Sequence, residues 1–206
     1  MSFIESIPIK RCRYCLLGVP DVGLVGSIAL SYLINEEKMV EAGYFESDFF
    51  PPVIVVHKGL PKPPFRIYHK GEIAAIFSEI PIDPRLIPYT ARSIVDWAKS
   101  KNVDLLISLS GIAVQNRLEI EVPEVYGVSS SKPIRSLIKD AGIKLFEEGF
   151  LAGLHADVMR DCLKKKVPNM ILLAQSHLRY PDPGAAASLI SSLNILLGLD
   201  VDTKTL

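Results

Sequence analysis

The run Asp104-Leu-Leu-Ile-Ser-Leu-Ser110 decides the fold class, because it is a nearly unalternating apolar strand of the kind buried on both faces of a parallel sheet. It follows directly on Pro84 to Lys101, where Ala91, Ile94, Val95 and Ala98 recur at helical spacing. A helix feeding a doubly buried strand is half of a β-α-β unit, and the rest of the chain repeats the alternation. Upstream, a strand over Cys12 to Gly18 leads into a helix over Leu24 to Asn35. Downstream, Pro133 opens a helix to about Ala141 that Gly142 ends, and a short strand spans Ile143 to Phe146. The helix Leu151 to Lys166 precedes the strand Met170 to Gln175, and a last helix starts at the Asp182-Pro183 cap and stops at Gly198. Between the first two helices lie four strand-like runs, Val40 to Ser47, Val53 to His57, Phe65 to Lys70 and Ile73 to Glu79, with a tight hairpin at Lys70-Gly71. Leu118 to Val122 alternates apolar with acidic residues and reads as a strand wet on one face, with a further short strand near Tyr126 to Ser129. The expected architecture is an α/β three-layer domain with a central, largely parallel or mixed sheet. It spans residues 1–206 as one unit, with only Asp200 to Leu206 left as a tail.

Composition narrows the function classes. Of 206 residues, 49% are hydrophobic, and 23 basic residues balance 23 acidic ones for a formal net charge of zero. That apolar content excludes general disorder, and the absent basic surplus argues against nucleic acid as a partner. No apolar stretch reaches the length of a membrane span and no leader-like start is present, so the expectation is a soluble, cytoplasmic protein. Three cysteines form no disulfide framework, which fits a reducing compartment. Lys164-Lys165-Lys166 falls in the last turn of its helix, where cations complement the dipole.

The candidate chemistry gathers at predicted strand ends. Gly18-Val-Pro-Asp-Val-Gly-Leu-Val-Gly26 joins the first strand to the first helix, where α/β folds often bind ligands on helix-terminal amides. It matches neither a dinucleotide fingerprint, since Pro20 stands where glycine is needed, nor a phosphate loop, since no Lys-Ser/Thr pair follows Gly23. Its plainer reading is that Pro20 and Asp21 start the helix while Gly18 and Gly23 permit close packing. The ligand or partner-binding candidates are Gly18, Pro20, Asp21, Gly23, Ser110 and His177, with Glu79 at the same predicted edge. A Ser, a His and carboxylates there are the parts of a hydrolase, although Ser110 lacks the nucleophile-elbow pattern. Cys12-x-x-Cys15 has the spacing of a metal or redox half-site, but in a strand the two sulfurs are expected on opposite faces, and no second Cys/His pair accompanies them. No metal and no cofactor is implied. The last helix, Ala185 to Leu197, is apolar around more than one face, which fits either a subunit contact or burial within the monomer by the inserted strands.

Three segments together resemble the proteasome assembly chaperone 2 family and its archaeal homologues: Gly18 to Gly26, Leu109-Ser-Gly111, and Tyr180-Pro-Asp-Pro-Gly-Ala-Ala-Ala187 with the following Leu196-Leu-Gly-Leu199. The resemblance runs in order along nearly the whole chain. It implies a nucleoside-phosphorylase-like α/β domain, a homo-oligomer, and non-catalytic binding to proteasome α subunits. Members that engage the proteasome ring are similar in carrying a C-terminal hydrophobic-tyrosine-any tripeptide, whereas this chain has Lys204-Thr205-Leu206. Binding without that tail, or with one from another subunit, is the form the resemblance allows. The competing expectation is a small-molecule hydrolase or phosphorylase with its site at the strand C-terminal ends.

Overall fold

A computed structural model describes all residues, Met1–Leu206. Its strands are β1 (Ser2–Glu5), β2 (Tyr14–Gly18), β3 (Val40–Glu46), β4 (Val55–His57), β5 (Leu60–Lys62), β6 (Phe65–Lys70), β7 (Ile73–Ser78), β8 (Leu105–Ala113), β9 (Val125–Val128), β10 (Lys144–Leu145) and β11 (Asn169–Ser176). The helices are α1 (Val25–Glu36), α2 (Ile87–Ser100), α3 (Lys132–Asp140), α4 (Gly153–Lys165) and α5 (Pro183–Leu197). Nine strands form one mixed sheet in the order β1-β3-β6-β7-β2-β8-β11-β9-β10. Its centre, β7-β2-β8-β11, is parallel, while β6, β3 and β1 extend one wing antiparallel and β9 returns antiparallel on the other. The expected α/β three-layer architecture is therefore the observed one.

The layers follow from side-chain alternation along the central strands. Leu16, Ile107, Leu109, Met170 and Leu172 face α1 and α5 in one core, while Cys15, Leu17, Ala74, Ile76 and Leu106 face α2 and α4 in the other. Because both faces are covered, the central strands carry apolar residues at successive positions, which is the pattern of residues 104–110. β2 sends the chain onto the α1 face and β7 sends it onto the α2 face, so a crevice opens beyond their C-terminal ends. No helix is long and apolar enough to cross a membrane.

Several expectations are corrected. Leu118 to Val122 is not a strand: residues Arg117–Glu119 form a 3-10 turn, and Leu118 and Val122 point to solvent, 90% and 74% exposed. The segment pairs with no strand of the sheet, and the loop is instead tied down by Arg117, described below. The strand expected from Cys12 starts at Tyr14. Cys12 therefore escapes the alternation, and Cys12, Cys15 and Cys162 all lie buried in the α2/α4 core rather than on opposite faces. Between the expected runs Val53 to His57 and Phe65 to Lys70, Leu60–Lys62 forms an additional strand, β5, which pairs with β4 in a two-stranded hairpin. Ser2–Glu5 adds an edge strand on β3 that the sequence pattern did not disclose.

The last helix and the tail resolve together. The inner face of α5, Ala185, Ala186, Leu189, Ile190 and Leu193, is fully buried in the core that α1 and the sheet share. Its cover is α1 and the C-terminal segment, not the inserted strands. Asp200 to Leu206 is docked rather than loose: the Tyr32 hydroxyl donates to the Asp202 carbonyl at 2.7 Å, and Asn194 bonds Val201 through both its donor and its acceptor.

Candidate functional site

The segment Gly18 to Gly26 does not start a helix at Pro20-Asp21 as expected. Val22–Leu24 is a 3-10 turn with Gly23 at φ 62° and Leu24 at φ 52°, and α1 begins only at Val25. Asp21 occupies the position before that turn, yet its side chain caps nothing there. Its carboxylate turns away, and Oδ2 accepts a short hydrogen bond from the Ser110 hydroxyl in the C-terminal half of β8. Ser110 faces the α2/α4 side because it lies an even number of residues beyond Leu106, which points the same way. The Asp21–Ser110 convergence at the strand ends is thus as expected.

The histidine that joins them is a different one. His155, in the first turn of α4, brings Nε2 to 3.2 Å from Asp21 Oδ2, and its side chain is only 7% exposed. The contact is close but off the hydrogen-bonding direction, so both ring nitrogens of His155, together with Asp21 Oδ1, are buried without hydrogen-bond partners. His177 lies outside this group. Its amide donates to Asp182 Oδ2 at 3.1 Å and its ring meets Tyr180 edge-on. The sequence offered one signal for His155: it sits beside Leu154 and three residues before Val158 on the buried side of an amphipathic helix, a polar ring among apolar neighbours.

Glu79 is also engaged elsewhere. It accepts from Arg66 Nη2 at 2.6 Å and meets His57 Nε2 at 2.8 Å, holding the nearly fully buried Arg66 guanidinium between β6, β7 and the β4–β5 hairpin. Arg66 also donates to the Tyr68 hydroxyl and the Pro63 carbonyl, so the network is satisfied and structural.

Asp21, Ser110 and His155 line a cavity of about 380 Å3 whose other walls are mostly apolar, including Pro20, Ile82, Ile87, Leu154 and Leu173. Phe150, fully exposed, stands at its rim. This is the crevice outside the carboxyl ends of the parallel strands, where open α/β sheets hold ligands. The arrangement does not make a nucleophile. In a serine hydrolase the imidazole lies between hydroxyl and carboxylate, whereas here the Ser110 hydroxyl donates its hydrogen bond directly to Asp21 Oδ2 and His155 approaches the same oxygen. The cysteines are equally ill-suited to thiolate chemistry. Burial pushes Cys12 up to about 11 and Cys162 up to about 12, and drives Cys15 well above its ordinary value.

Glycine contacts explain the rest of the motif. A Cβ on Gly18 would lie 2.5 Å from the Gly26 carbonyl oxygen, and one on Gly26 would lie 2.0 Å from that of Leu109. One on Gly111 would meet the Val22 carbonyl at 2.5 Å. Gly23 accepts from the Asp182 amide at 2.9 Å. The three segments that carry the family resemblance are therefore packed on one another, with Asp182 as the third party. Asp182 caps α5 through Ala185 N at 3.0 Å and receives the Arg117 guanidinium on both oxygens, at 2.7 and 2.9 Å. Burial alone would raise the Asp182 carboxyl, but Arg117 and the amides of Ala185 and His177 overcome it and hold it below the usual carboxylate range. Sequence reading found the cap and missed Arg117.

Fold and site together define a doubly wound α/β protein with a ligand-sized crevice and no assembled catalytic relay. The chain matches the model of the PAC2 family over residues 15–206, and it belongs to that family. It is 30% identical to an uncharacterized protein of Methanocaldococcus jannaschii, over 100% of this chain and 84% of that one. Among solved structures it is similar to Pyrococcus furiosus PbaA, an archaeal homolog of proteasome-assembly chaperone, at 30% identity and a TM-score of 0.92, covering 98% of this chain and 84% of that chain. Pyrococcus furiosus PbaB, an archaeal proteasome activator, shares the fold at 17% identity and a TM-score of 0.85, covering 99% and 91%.

Proposed function

We propose that the protein is a non-enzymatic, homo-oligomeric chaperone-type protein of the cytoplasm that binds proteasome α subunits, acting as one unit over residues 1–206. The observation that carries this reading is the likeness to PbaA, which extends over 98% of the chain at 30% identity. Surface chemistry supports it. Val53, Ile54, Val56 and Leu60 are exposed on and beside the β4–β5 hairpin, and Leu118, Val122, Phe150, Leu178 and Tyr180 are exposed on loops beyond the strand ends. The four on and beside the hairpin are grouped by its pairing, and an exposed apolar group of this kind favours a protein partner or a second copy. Small molecules need no such surface.

Native mass spectrometry of the protein alone, and mixed with proteasome α subunits from its own source, tests both halves. A homo-oligomer that captures α subunits is the expected result. A strict monomer at micromolar concentration would overturn self-association, and an oligomer that ignores the α subunits would overturn the choice of partner.

A further inference from the structure

Asp21 and His155 leave two buried polar deficits side by side. Asp21 Oδ1 and both ring nitrogens of His155 are buried without hydrogen-bond partners, while His155 Nε2 lies 3.2 Å from Asp21 Oδ2. Buried polar groups are costly when left unpaired. A second proton on the ring offsets both deficits, because an imidazolium attracts the carboxylate by charge and needs no ideal hydrogen-bond direction to do so. No other group competes for that role. The crevice walls contributed by β8, β11, α2 and the segment Pro81–Ile82 carry no titratable side chain. On α4 itself Asp157 is paired with Arg160, and the thiols of Cys12, Cys15 and Cys162 in the same core are pushed up by burial and stay neutral. The start of α4 opposes a cation, so a charge on His155 depends on Asp21. The pair also joins two walls of the crevice. Asp21 belongs to the loop between β2 and α1, and His155 to the first turn of α4, into which Phe150, Leu151 and Ala152 lead. Gly149 and Gly153, at φ 148° and 76°, bracket those three residues and give the segment a pivot at each end. Phe150 is fully exposed, so its side chain does not anchor the segment.

We propose that Asp21 and His155 form a proton-operated latch on the wall of this crevice. With both ring nitrogens protonated, His155 is held against Asp21 and the segment leading into α4 is fixed. When one proton leaves to solvent, the neutral ring loses its charge attraction and the segment is released on its two glycines. Histidine changes charge in the range of about pH 5 to 8. The latch is therefore shut at the acid end of that range and free at the alkaline end, and the stabilisation it gives is lost as the pH rises. The inference is independent of proteasome binding.

The test follows the whole wild-type chain from about pH 5 to pH 8 by two NMR readouts, the ring nitrogens of His155 and the exchange protection of backbone amides. Protection is corrected for the intrinsic pH dependence of exchange. The ring is expected to pass from its charged to its neutral form. Over the same interval the protection of Leu151, Leu154 and His155 should fall about tenfold or more, the weight of a charge-assisted interaction. D21N and H155Q should each show low protection in that segment at every pH. A ring that keeps one protonation state throughout, protection that does not follow the ring, or a pH response in the segment that survives in either variant would each overturn the proposal. Should the variants fail to fold, the two wild-type readouts decide alone, since a merely structural contact would leave protection unchanged while the ring titrates.

Discussion

Arg117 and Asp182 lie 65 positions apart and form a two-pronged ion pair with side chains only 10% and 4% exposed. Removing one partner of such a pair leaves a buried charge, which costs about 3–5 kcal/mol. R117A is therefore expected to lower the stability read by urea unfolding by roughly that amount. The pH dependence follows from the depressed Asp182 carboxyl. The unfolded chain takes up that proton first, so the stabilisation is complete above the unfolded value of about 4 and fades as the pH falls toward the lower folded one. Acid titration of R117A should show a shallower loss through that range; an identical slope in wild type and variant would contradict the assignment. At this scale the sequence was only half legible. Asp182-Pro183 announces a helix cap by local chemistry, and the structure has that cap. Arg117 announces nothing and His155 shows only as a polar ring among apolar helix neighbours, because their partners are remote in the chain and only the fold brings them near.

Elements were more legible than residues wherever packing enforces a period. The central strands and all five helices sit within a few positions of their expected spans, since burial on both faces leaves no freedom in which residues are apolar. Misreadings fall at the periphery. Leu118 to Val122 has strand alternation without a strand to pair with, and β5, the partner of the expected strand at Val53 to His57, hides in a proline-rich stretch because it is only three residues long. The packing of α1 on β8 gives a sharp element-level expectation. Gly26 lets the first turn of α1 touch the Leu109 backbone, and a Cβ there would lie 2.0 Å from a carbonyl oxygen that cannot rotate aside. G26A should cost about 1–3 kcal/mol in denaturant unfolding. A neutral result would mean that α1 shifts along β8 at no expense, contrary to the tight core around Leu30 and Leu109.

For the molecule as a whole, the α/β three-layer architecture was legible, whereas the surface was not: a sequence shows how apolar a residue is but not whether a neighbour covers it. The β4–β5 hairpin illustrates this, with Val56 and Leu60 uncovered at 63% and 62% exposure. If the hairpin joins copies of the chain, the double variant V56D/L60D should shift native mass spectra toward monomer at micromolar concentration. Its unfolding free energy should change by no more than about 0.5 kcal/mol per substitution, as for exposed sites generally. An unchanged oligomer would place the contact on another face. The strand order also has a consequence for the nascent protein. β2 is inserted between β7 and β8, whose ranges begin at Ile73 and Leu105. At about 5–20 residues per second the ribosome leaves its apolar residues unpaired for several seconds, so the first strand made in the sheet's centre waits for both of its neighbours. During that interval it is a ready target for holding factors, and synthesis rate rather than final stability sets how long the exposure lasts.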